Sequence, residues 1–435
     1  MRIACIVLIA AGRFAAAQSS VDSQLAAEIA KIKAIDNHAH PVRPALGSDK
    51  DNDYDALRVE SMEPYTEPVR TREGTPLVLD AWRALFGYRY TDRAPDHVRE
   101  LRDRKKQLLE EKRDGYANWV LDQLGIETML ANRVAMGPGL AAPRFLWVPF
   151  EDALMYPLSN ATLAARNSDR KAFYADEERL LQRYLKESGV KEPPATLDLY
   201  LQKVVTPTLE RHKRAGAIAV KFEAAYLRSL SFEDVPRAEA VRIYSGAHAL
   251  PATEAAYTKL QDFIFRYIAE ECGRLGMAVH IHAAAGAGGY FHIAGANPLL
   301  LEPLFNDPKL RKTNFVMLHG GWPFTREVAA LLAKPNVYAD FSEQTFMNYP
   351  RAVAQVIREW LEYAPEKVLF ATDAYPFSDE MSWEEAGWVA TTTGREALGL
   401  ALTEMMRDGE ITRDRALELA GMVLRDNARK LYQLK

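Results

Sequence analysis

Two histidines that stand two residues apart could begin a metal site. They belong to the run Asp36-Asn37-His38-Ala39-His40-Pro41. In a β-strand, residues two apart point to the same side, so the imidazoles of His38 and His40 would project together from a strand end. Neutral imidazoles are good ligands for zinc and similar ions. His-x-His is a weak signal by itself, and its meaning depends on what else ends nearby strands.

Three later apolar segments end in an imidazole or a carboxylate. The residues are His282, His319 and Asp373, and the segments before them are Val279–Ile281, Val316–Leu318 and Leu369–Thr372. A polar side chain at the end of an apolar strand is costly to leave unpaired, and each alone could be a satisfied structural residue. Together with the first pair, four strand ends present such groups. We therefore predict that they face one mouth and hold a divalent metal.

Other polar residues near these segments leave alternatives open. Lys221 ends Ala217-Ile218-Ala219-Val220-Lys221 and could be an ordinary ion-paired lysine or, if carboxylated, a bridge between two metal ions. His280 lies on the same strand face as His282 but one layer deeper, where it would support the ligands. His292 lies in a glycine-rich loop after the fifth strand and could reach a substrate. His97, His212 and His248 indicate no more than surface or helix positions.

Eight short apolar segments rich in β-branched residues could position these groups, with helical stretches between them. The segments are Ile32–Ala39, Ile126–Ala135, Arg144–Phe150, Ala217–Glu223, Met277–Ala283, Asn314–His319, Asn336–Phe341 and Lys367–Thr372. This alternation predicts an α/β fold with a parallel sheet. Eight units favour a closed (β/α)8 TIM-type barrel over an open doubly wound sheet. No glycine-rich turn of the dinucleotide-binding type follows the first segment.

Two gaps between segments are too long for simple crossovers. We predict helical insertions after strands 1 and 3, at about residues 41–115 and 151–214. Both follow the carboxyl end of a strand, which is the face where barrel active sites lie, so they should cap the pocket. The stretch Arg413–Leu434 is amphipathic and should pack against the barrel wall.

The composition is that of an ordinary globular protein. The chain has 435 residues, of which 48% are hydrophobic and 26% charged, with a formal net charge of −4. This balance gives no reason to expect nucleic acid or an anionic membrane as a partner. Arg2, the apolar stretch Ile3–Ala11 and Ala15-Ala16-Ala17 predict a signal peptide over residues 1–17, with the catalytic domain over 18–435. The apolar stretch is too short to span a bilayer.

These motifs resemble those of the amidohydrolase superfamily. The likeness rests on Asp36-x-His38-x-His40, His282, His319 and Thr372-Asp373, and is closest to the second amidohydrolase subfamily, which includes hydrolases and non-oxidative decarboxylases. The stretch from Met277 to Phe377 is most similar to the amidohydrolase domain that some larger proteins carry fused to a glutamine-synthetase-like domain. Lys221 followed by Tyr226 and Arg228 also fits that branch. The pieces that carry this likeness are His282-Ala283-Ala284, Asn297-Pro298-Leu299-Leu300, His319-Gly320-Gly321-Trp322-Pro323 and Val368-Leu369-Phe370-Ala371-Thr372-Asp373-Ala374.

The resemblance assigns roles to these residues. It implies His38, His40, His282 and Asp373 as metal ligands, with Lys221 as a further ligand if carboxylated. His319 would be either a ligand of a second ion or an acid/base beside a single one. Tyr226, Arg228, His292 and Trp322 are the candidates for substrate binding. Ala283-Ala284-Ala285 replaces the small residue and glycine that the family usually has after its strand-five histidine.

The expected function is metal-dependent hydrolysis of an amide or a related C–N or C–O bond in a small molecule, with Asp373 as general base and His319 as the second catalytic group. A metal-dependent non-oxidative decarboxylase or other lyase is the first alternative, and a non-catalytic ligand-binding barrel is the second. The expected cofactor is one or two divalent ions, Zn²⁺ or else Mn²⁺. A γ-glutamyl amide substrate and a homodimer stay open alternatives. The signal peptide predicts a periplasmic or secreted protein, and without it the protein would be cytoplasmic.

Overall fold

The computed structural model describes residues 20–46, 49–59, 62–72, 75–247 and 250–434. The predicted signal peptide and His248 lie outside these ranges. Within them, no helix is both long enough and apolar enough to cross a membrane.

All eight predicted strands are present, and all neighbouring pairs run parallel. They are β1 (Ala34–Ala39), β2 (Ile126–Asn132), β3 (Phe145–Val148), β4 (Ala219–Phe222), β5 (Ala278–His282), β6 (Phe315–Leu318), β7 (Val337–Asp340) and β8 (Val368–Leu369). They form a three-stranded sheet, β1-β2-β3, and a five-stranded sheet, β4-β5-β6-β7-β8. The α/β class with parallel sheets is therefore confirmed.

Backbone hydrogen bonds also join the edges of the two sheets. Between β3 and β4, the Ile218 nitrogen donates to the Trp147 oxygen (3.2 Å) and the Lys221 nitrogen to the Pro149 oxygen (2.8 Å). Between β1 and the chain after β8, the Asn37 nitrogen donates to the Phe370 oxygen (3.0 Å). The Asp373 nitrogen donates in turn to the His38 oxygen (2.8 Å).

One apolar cluster draws side chains from all eight strands. Its buried members are Ile35, Leu130, Val148, Ala219, Ala278, Val316, Leu318, Leu369, Ala428 and Leu431, with Tyr338 and Tyr432 among the partly buried residues packed against them. Contacts among these side chains therefore connect the two sheets. Ala428, Leu431 and Tyr432 belong to the last helix, which therefore packs against this cluster.

The helices that surround the strands number seventeen among the described residues. They are α1 (Ser23–Lys31), α2 (Pro76–Phe86), α3 (Pro95–Lys112), α4 (Tyr116–Leu124), α5 (Ala161–Ala164), α6 (Ser168–Glu187), α7 (Leu197–Tyr200), α8 (Thr206–Arg214), α9 (Arg237–Gly246), α10 (Glu254–Leu275), α11 (Glu302–Phe305), α12 (Thr325–Leu331), α13 (Gln344–Met347), α14 (Pro350–Tyr363), α15 (Trp383–Arg407), α16 (Arg413–Gly421) and α17 (Asn427–Tyr432). Single π-turns join α7 to α8 and α16 to α17.

Helix α10 shows why these segments are helical. Thr253 caps its first turn by accepting a hydrogen bond from the Ala256 nitrogen, and Gly276 ends it in the left-handed conformation at φ 64°. Leu260, Ile264 and Ile268, spaced four apart, are fully buried. Such a stripe forms one face of a helix and buries it against the strands.

The two long gaps contain helices and approach the strand ends. The first includes α2 and α3, and the second includes α5 to α8. From the first gap, Asp55 places a carboxylate oxygen 3.7 Å from His40 Nδ1. From the second, the ring of Phe173 lies 5.6 Å from that of Tyr226.

Candidate metal centre

His38, His40 and Asp373 converge at the carboxyl ends of β1 and β8. The Nε2 atoms of His38 and His40 lie 3.1 Å and 3.5 Å from the same Asp373 oxygen, Oδ1. The His38 side chain is fully buried, and those of His40 and Asp373 are 5% and 15% exposed. Two imidazole nitrogens and a carboxylate oxygen, all directed at one point, form a donor set that suits a divalent cation.

Asp36 stabilises this arrangement through hydrogen bonds. Its Oδ1 accepts hydrogen bonds from the backbone nitrogens of Thr372 (2.9 Å) and His38 (3.2 Å), and its Oδ2 accepts one from Thr372 Oγ1 (2.5 Å). These bonds tie the end of β1 to the chain just before Asp373. Burial raises the pKa of Asp36 to about 7, although the Thr372 hydrogen bonds oppose that shift.

Lys221 lies beside the same imidazoles. Its Nζ is 3.3 Å from His38 Nε2 and 3.6 Å from Glu223 Oε1, and the residue is 1% exposed. The predicted proximity to the centre is therefore present, and an acidic partner stands next to the amine. These contacts leave both the ion-paired and the carboxylated alternatives open.

His282 and His319 complete a ring of imidazoles. The ring centroids of His282 and His319 lie 4.6 Å apart, and that of His319 is 5.1 Å from His38. The Nε2 of His282 lies 3.2 Å from the Ala284 carbonyl oxygen. One layer deeper, His280 Nε2 lies 2.7 Å from the Tyr432 hydroxyl.

A second group of donors shares Asp373. His319 Nδ1 lies 3.8 Å from Glu343 Oε2 and 3.9 Å from Asp373 Oδ2. His319, Glu343 and Asp373 each offer a donor atom within 4.8 Å of the others. Glu343 Oε2 is buried and has no hydrogen-bond partner among the described residues. Sequence reasoning missed Glu343.

The missed residues follow β7. Asp340, Ser342 and Glu343 come at or just after the end of an apolar strand, which is the signal that pointed to His282, His319 and Asp373. The predicted seventh segment ends at Phe341, which leaves Asp340 inside the strand and Glu343 two residues beyond its end. The strand-end rule applied equally to β7 would have found these residues.

Burial in this cluster favours the neutral form of the imidazoles and disfavours the ionised form of the carboxylates. Burial, followed for His38, His40 and His282 by the charge of Lys221, lowers the pKa of these histidines well below 6.5; burial also lowers that of His319. The pKa of Asp373 is raised well above its usual range by burial and by Glu343. Burial likewise raises the pKa of Glu343 to about 8.

These observations fit a bound cation. The lowered pKa values keep the histidines neutral, which is the form that binds metal. Glu343 Oε2 is a buried donor atom with no hydrogen-bond partner among the described residues. A dication would favour the ionised carboxylates that burial disfavours. Residues on or just after β1, β5, β6 and β8 therefore supply a set of donors that suits zinc or a similar cation.

Tyr226 is a substrate-binding candidate whose ring contacts this cluster. Its ring lies 4.8 Å from that of His282 and 5.0 Å from that of Phe291. Trp322 is half-buried, and its carbonyl accepts a hydrogen bond from the Ala285 nitrogen (2.7 Å), which joins the loops after β5 and β6. His292 is exposed and lines a surface cavity of about 850 Å³ that also includes Arg228.

Arg228 is not brought into the cluster. Its guanidinium pairs with Asp262 and donates to Gln261 Oε1 (3.0 Å) and to the Ser231 carbonyl (2.7 Å), while its Nε donates to the Ser229 carbonyl (3.0 Å). All three nitrogens are thus engaged within the chain. Contact with a substrate would require one of these bonds to break, so its predicted role gains no support from the geometry.

Comparison with known proteins identifies the family. A family model for amidohydrolases matches residues 35–434. The chain belongs to the amidohydrolase family. The predicted resemblance to that superfamily is confirmed. Over 141 residues the chain is 32% identical to protein fluG of Emericella nidulans, a match that covers 32% of this chain and only 15% of that longer protein.

Solved structures share the fold at low identity. A Lactobacillus casei protein that carries the name of a metal-dependent hydrolase aligns with a TM-score of 0.64 and 16% identity, over 94% of this chain and 97% of that one. Glucuronate isomerase from Caulobacter crescentus aligns with a TM-score of 0.65 and 16% identity, over 95% and 93%. Uronate isomerase from Thermotoga maritima gives 0.58 and 15%, over 94% and 96%. At such identities these likenesses show the fold and leave the reaction open.

Proposed function

We propose that this protein is a metal-dependent hydrolase that cleaves an amide or a related C–N or C–O bond of a small molecule. The observation that carries the proposal is the convergence of His38 Nε2 and His40 Nε2 on Asp373 Oδ1 in a buried ring of neutral imidazoles. This arrangement presents metal donors and a carboxylate that can hold a proton at one place.

The scaffold for this chemistry is a closed eight-stranded barrel. Two features support closure: the hydrogen bonds that join β3 to β4 and β1 to the chain after β8, and the single apolar cluster with side chains from all eight strands. In such a barrel the reacting groups gather at the carboxyl ends of the strands, which is where His38, His282, His319 and Asp373 lie. The two insertions would cover this face and shape the pocket.

The residues divide the chemical work. A bound divalent cation would supply Lewis acidity toward water and a scissile carbonyl, and its charge would keep the Asp373 carboxylate ionised. Asp373 accepts the proton of the attacking water and passes it to the leaving amine or alcohol. His319, 3.9 Å away, stabilises the developing oxyanion or ligates a second ion. Tyr226 and Trp322 border the substrate.

His38, His40 and Asp373 would hold the first cation, with His282 and Lys221 at its border. Imidazole and carboxylate donors suit Zn²⁺, with Mn²⁺ as the alternative. His319 and Glu343, which share Asp373 with the first group, are the donors available to a second cation. This second position does not need Lys221 as a bridge.

A substrate screen tests the proposal. Purified protein is assayed with added zinc or manganese against simple amides, dipeptides, γ-glutamyl amides, carboxylated aromatics and uronates. Metal-dependent release of an amine or alcohol, lost on chelation and restored by metal, is the expected result. Release of CO₂ from a carboxylated aromatic would replace hydrolysis with the lyase alternative. Conversion of a uronate without bond cleavage would assign isomerisation instead, the chemistry named for two proteins of the same fold.

A further inference from the structure

A continuous chain of hydrogen bonds runs from α17 to His319 beneath the candidate metal centre. His280 Nε2 lies 2.7 Å from the Tyr432 hydroxyl, and that hydroxyl is 2.5 Å from Asn37 Oδ1. Asn37 Nδ2 donates to Asp340 Oδ2 at 2.9 Å. From Asp340 the chain continues through Ser342 Oγ (2.6 Å) to His319 Nδ1 (2.8 Å).

Each hydrogen bond in this chain can be assigned one donor and one acceptor. A carboxylate only accepts, so the Asn37 amide must turn its nitrogen toward Asp340 and its oxygen toward Tyr432. Tyr432 must then donate its hydroxyl proton to Asn37. The hydroxyl oxygen is left as an acceptor, so His280 donates to it from Nε2.

The assignment of donors and acceptors around Asp340 and Ser342 also determines the tautomer of His319. Asp340 Oδ1 accepts from the backbone nitrogens of His319 (3.0 Å) and Ser342 (3.1 Å) and from the Ser342 hydroxyl. A serine hydroxyl has one proton, and this one points to Asp340. Ser342 Oγ therefore accepts from His319, whose ring proton stands on Nδ1. The lone pair of His319 then stands on Nε2, because the hydrogen bond made by one ring nitrogen determines the role of the other. A cation that His319 holds is therefore bound by Nε2 and not by Nδ1, the ring nitrogen whose distances to Glu343 and Asp373 are given above.

His319 needs this support because its backbone is strained. Its φ is 62°, in the left-handed region that residues with a side chain rarely adopt, and Gly320 and Gly321 follow at 58° and 69°. The bond from its nitrogen to Asp340 and the bond from Gln344 Nε2 to its carbonyl oxygen (2.9 Å) hold it there. Strain of this kind persists only where surrounding contacts fix the conformation.

We propose that Tyr432 is a positioning residue for His319, acting through Asn37, Asp340 and Ser342. Without the Tyr432 hydroxyl, Asn37 Oδ1 loses its donor in a buried place, and the bond from Nδ2 to Asp340 is what still holds the amide in this chain. When the amide moves to find another donor for Oδ1, it draws Nδ2 away from Asp340. Asp340 then shifts against the His319 nitrogen and the Ser342 hydroxyl that fix the backbone and the ring proton of His319. A helix 395 residues away from Asn37 in sequence would thus set the geometry of a candidate ligand.

The test compares two tyrosine variants. Tyr432→Phe removes only the hydroxyl of this chain, and Tyr200→Phe removes a buried hydroxyl that donates to the Leu154 carbonyl (2.8 Å) elsewhere in the core. In metal-free protein, ring ¹⁵N shifts of His319 should show Nδ1–H in the wild type and in Tyr200→Phe, and a mixture of tautomers in Tyr432→Phe. Zinc affinity, measured by chelator competition, should fall by about 10-fold or more in Tyr432→Phe alone, the usual scale for losing a group that orients a ligand.

A second pair of variants keeps the test decisive if Tyr432→Phe does not fold. Ser342→Ala should reproduce both changes, and Ser342→Thr, which keeps a hydroxyl, should restore them. Unchanged His319 shifts in Tyr432→Phe, or an equal loss of zinc affinity in Tyr200→Phe, would overturn the proposal. The affinity measurement rests on the proposed metal-dependent function, whereas the ¹⁵N shifts of metal-free protein do not. A wild type that binds no zinc but shows the Nδ1–H tautomer would therefore refute the function and leave the positioning role standing.

Discussion

Replacing Asp373 by asparagine separates its proposed role as a base from a structural one. Asparagine keeps the shape of the side chain and tolerates the left-handed backbone, where Asp373 has φ 55°. The backbone bond from the residue 373 nitrogen to the His38 oxygen (2.8 Å) is retained. The change therefore removes the charge and basicity of Oδ1 and Oδ2 and little else.

The structure gives the expected magnitudes. Loss of a general base usually lowers kcat by about 10²-fold or more, which corresponds to about 2.7 kcal/mol in the activation free energy. The free energy of unfolding, in contrast to kcat, should not fall. Burial disfavours the Asp373 carboxylate, so a neutral amide should leave the metal-free protein as stable as the wild type or more stable. A helix-capping role is excluded, because the next described helix begins at Trp383 and is capped by Ser382 and Glu385.

The assay measures kcat and KM on a confirmed substrate, zinc content and thermal unfolding of the metal-free protein. The matched control is Glu385→Gln, which removes a buried carboxylate paired with Lys105 (2.8 Å) in another part of the fold. The control leaves the Lys105 amine without its buried partner, so it should lose stability and keep its kcat, whereas Asp373→Asn should keep stability and lose kcat. A folded, metal-loaded Asp373→Asn variant with near-normal kcat would refute the assigned role.

Three other perturbations test the centre. The wild type should contain roughly one to two equivalents of a divalent transition metal, as one- and two-metal sites do. Joint replacement of His38 and His40 by alanine should remove most of that metal. A wild type that contains no metal and does not respond to added metal would contradict this. If Lys221 is carboxylated, density should extend beyond its amine to two ions roughly 3.5–4 Å apart, and Lys221→Ala should lose one ion and regain it with a short added carboxylate. A bare amine paired with Glu223 and a single ion would refute the bridge and favour the decarboxylase alternative. Because the pKa of Glu343 is raised from 4.5 to about 8, the native metal-free protein holds a proton that the unfolded chain lacks within that window, so the free energy of unfolding should fall by about 1.4 kcal/mol per pH unit as pH rises. The measurement is chemical denaturation between pH 7 and 8, because the lowered histidine pKa values act in the opposite direction only at lower pH. Over this range the free energy of unfolding should fall less with pH in Glu343→Gln than in the wild type. Equal slopes in the two proteins would contradict the prediction.

The strands were predictable because their pattern is local. Each observed strand lies inside its predicted segment, since runs of apolar, β-branched residues between turn-forming stretches identify buried parallel strands. The largest difference is β8, predicted over Lys367–Thr372 and observed over Val368–Leu369. Beyond Leu369 the chain bonds to β1 through single hydrogen bonds and then turns at Asp373, so regular pairing ends early.

The imidazole part of the site was predictable for a related reason. Parallel strands end at one edge, so polar residues at their ends meet whatever the sequence distance between them. Asp55 and Tyr432 lie outside any such rule, because a long insertion and the last helix deliver them. Tyr432 and Asn37 are far apart in sequence, and no local spacing predicts that contact.

Backbone strain concentrates where the proposed chemistry lies. Of the five non-glycine residues with positive φ in the described ranges, three are His319, Glu343 and Asp373, the residues of the second donor group. Each such conformation costs on the order of 1–3 kcal/mol and must be offset by surrounding contacts. The bonds that hold His319 come from Asp340 and Gln344, so the end of β7 and the chain after it stabilise a candidate ligand that follows β6. Because those contacts join protein groups to one another and do not involve a cation, they orient the donors by themselves, and cation binding need not supply that energy.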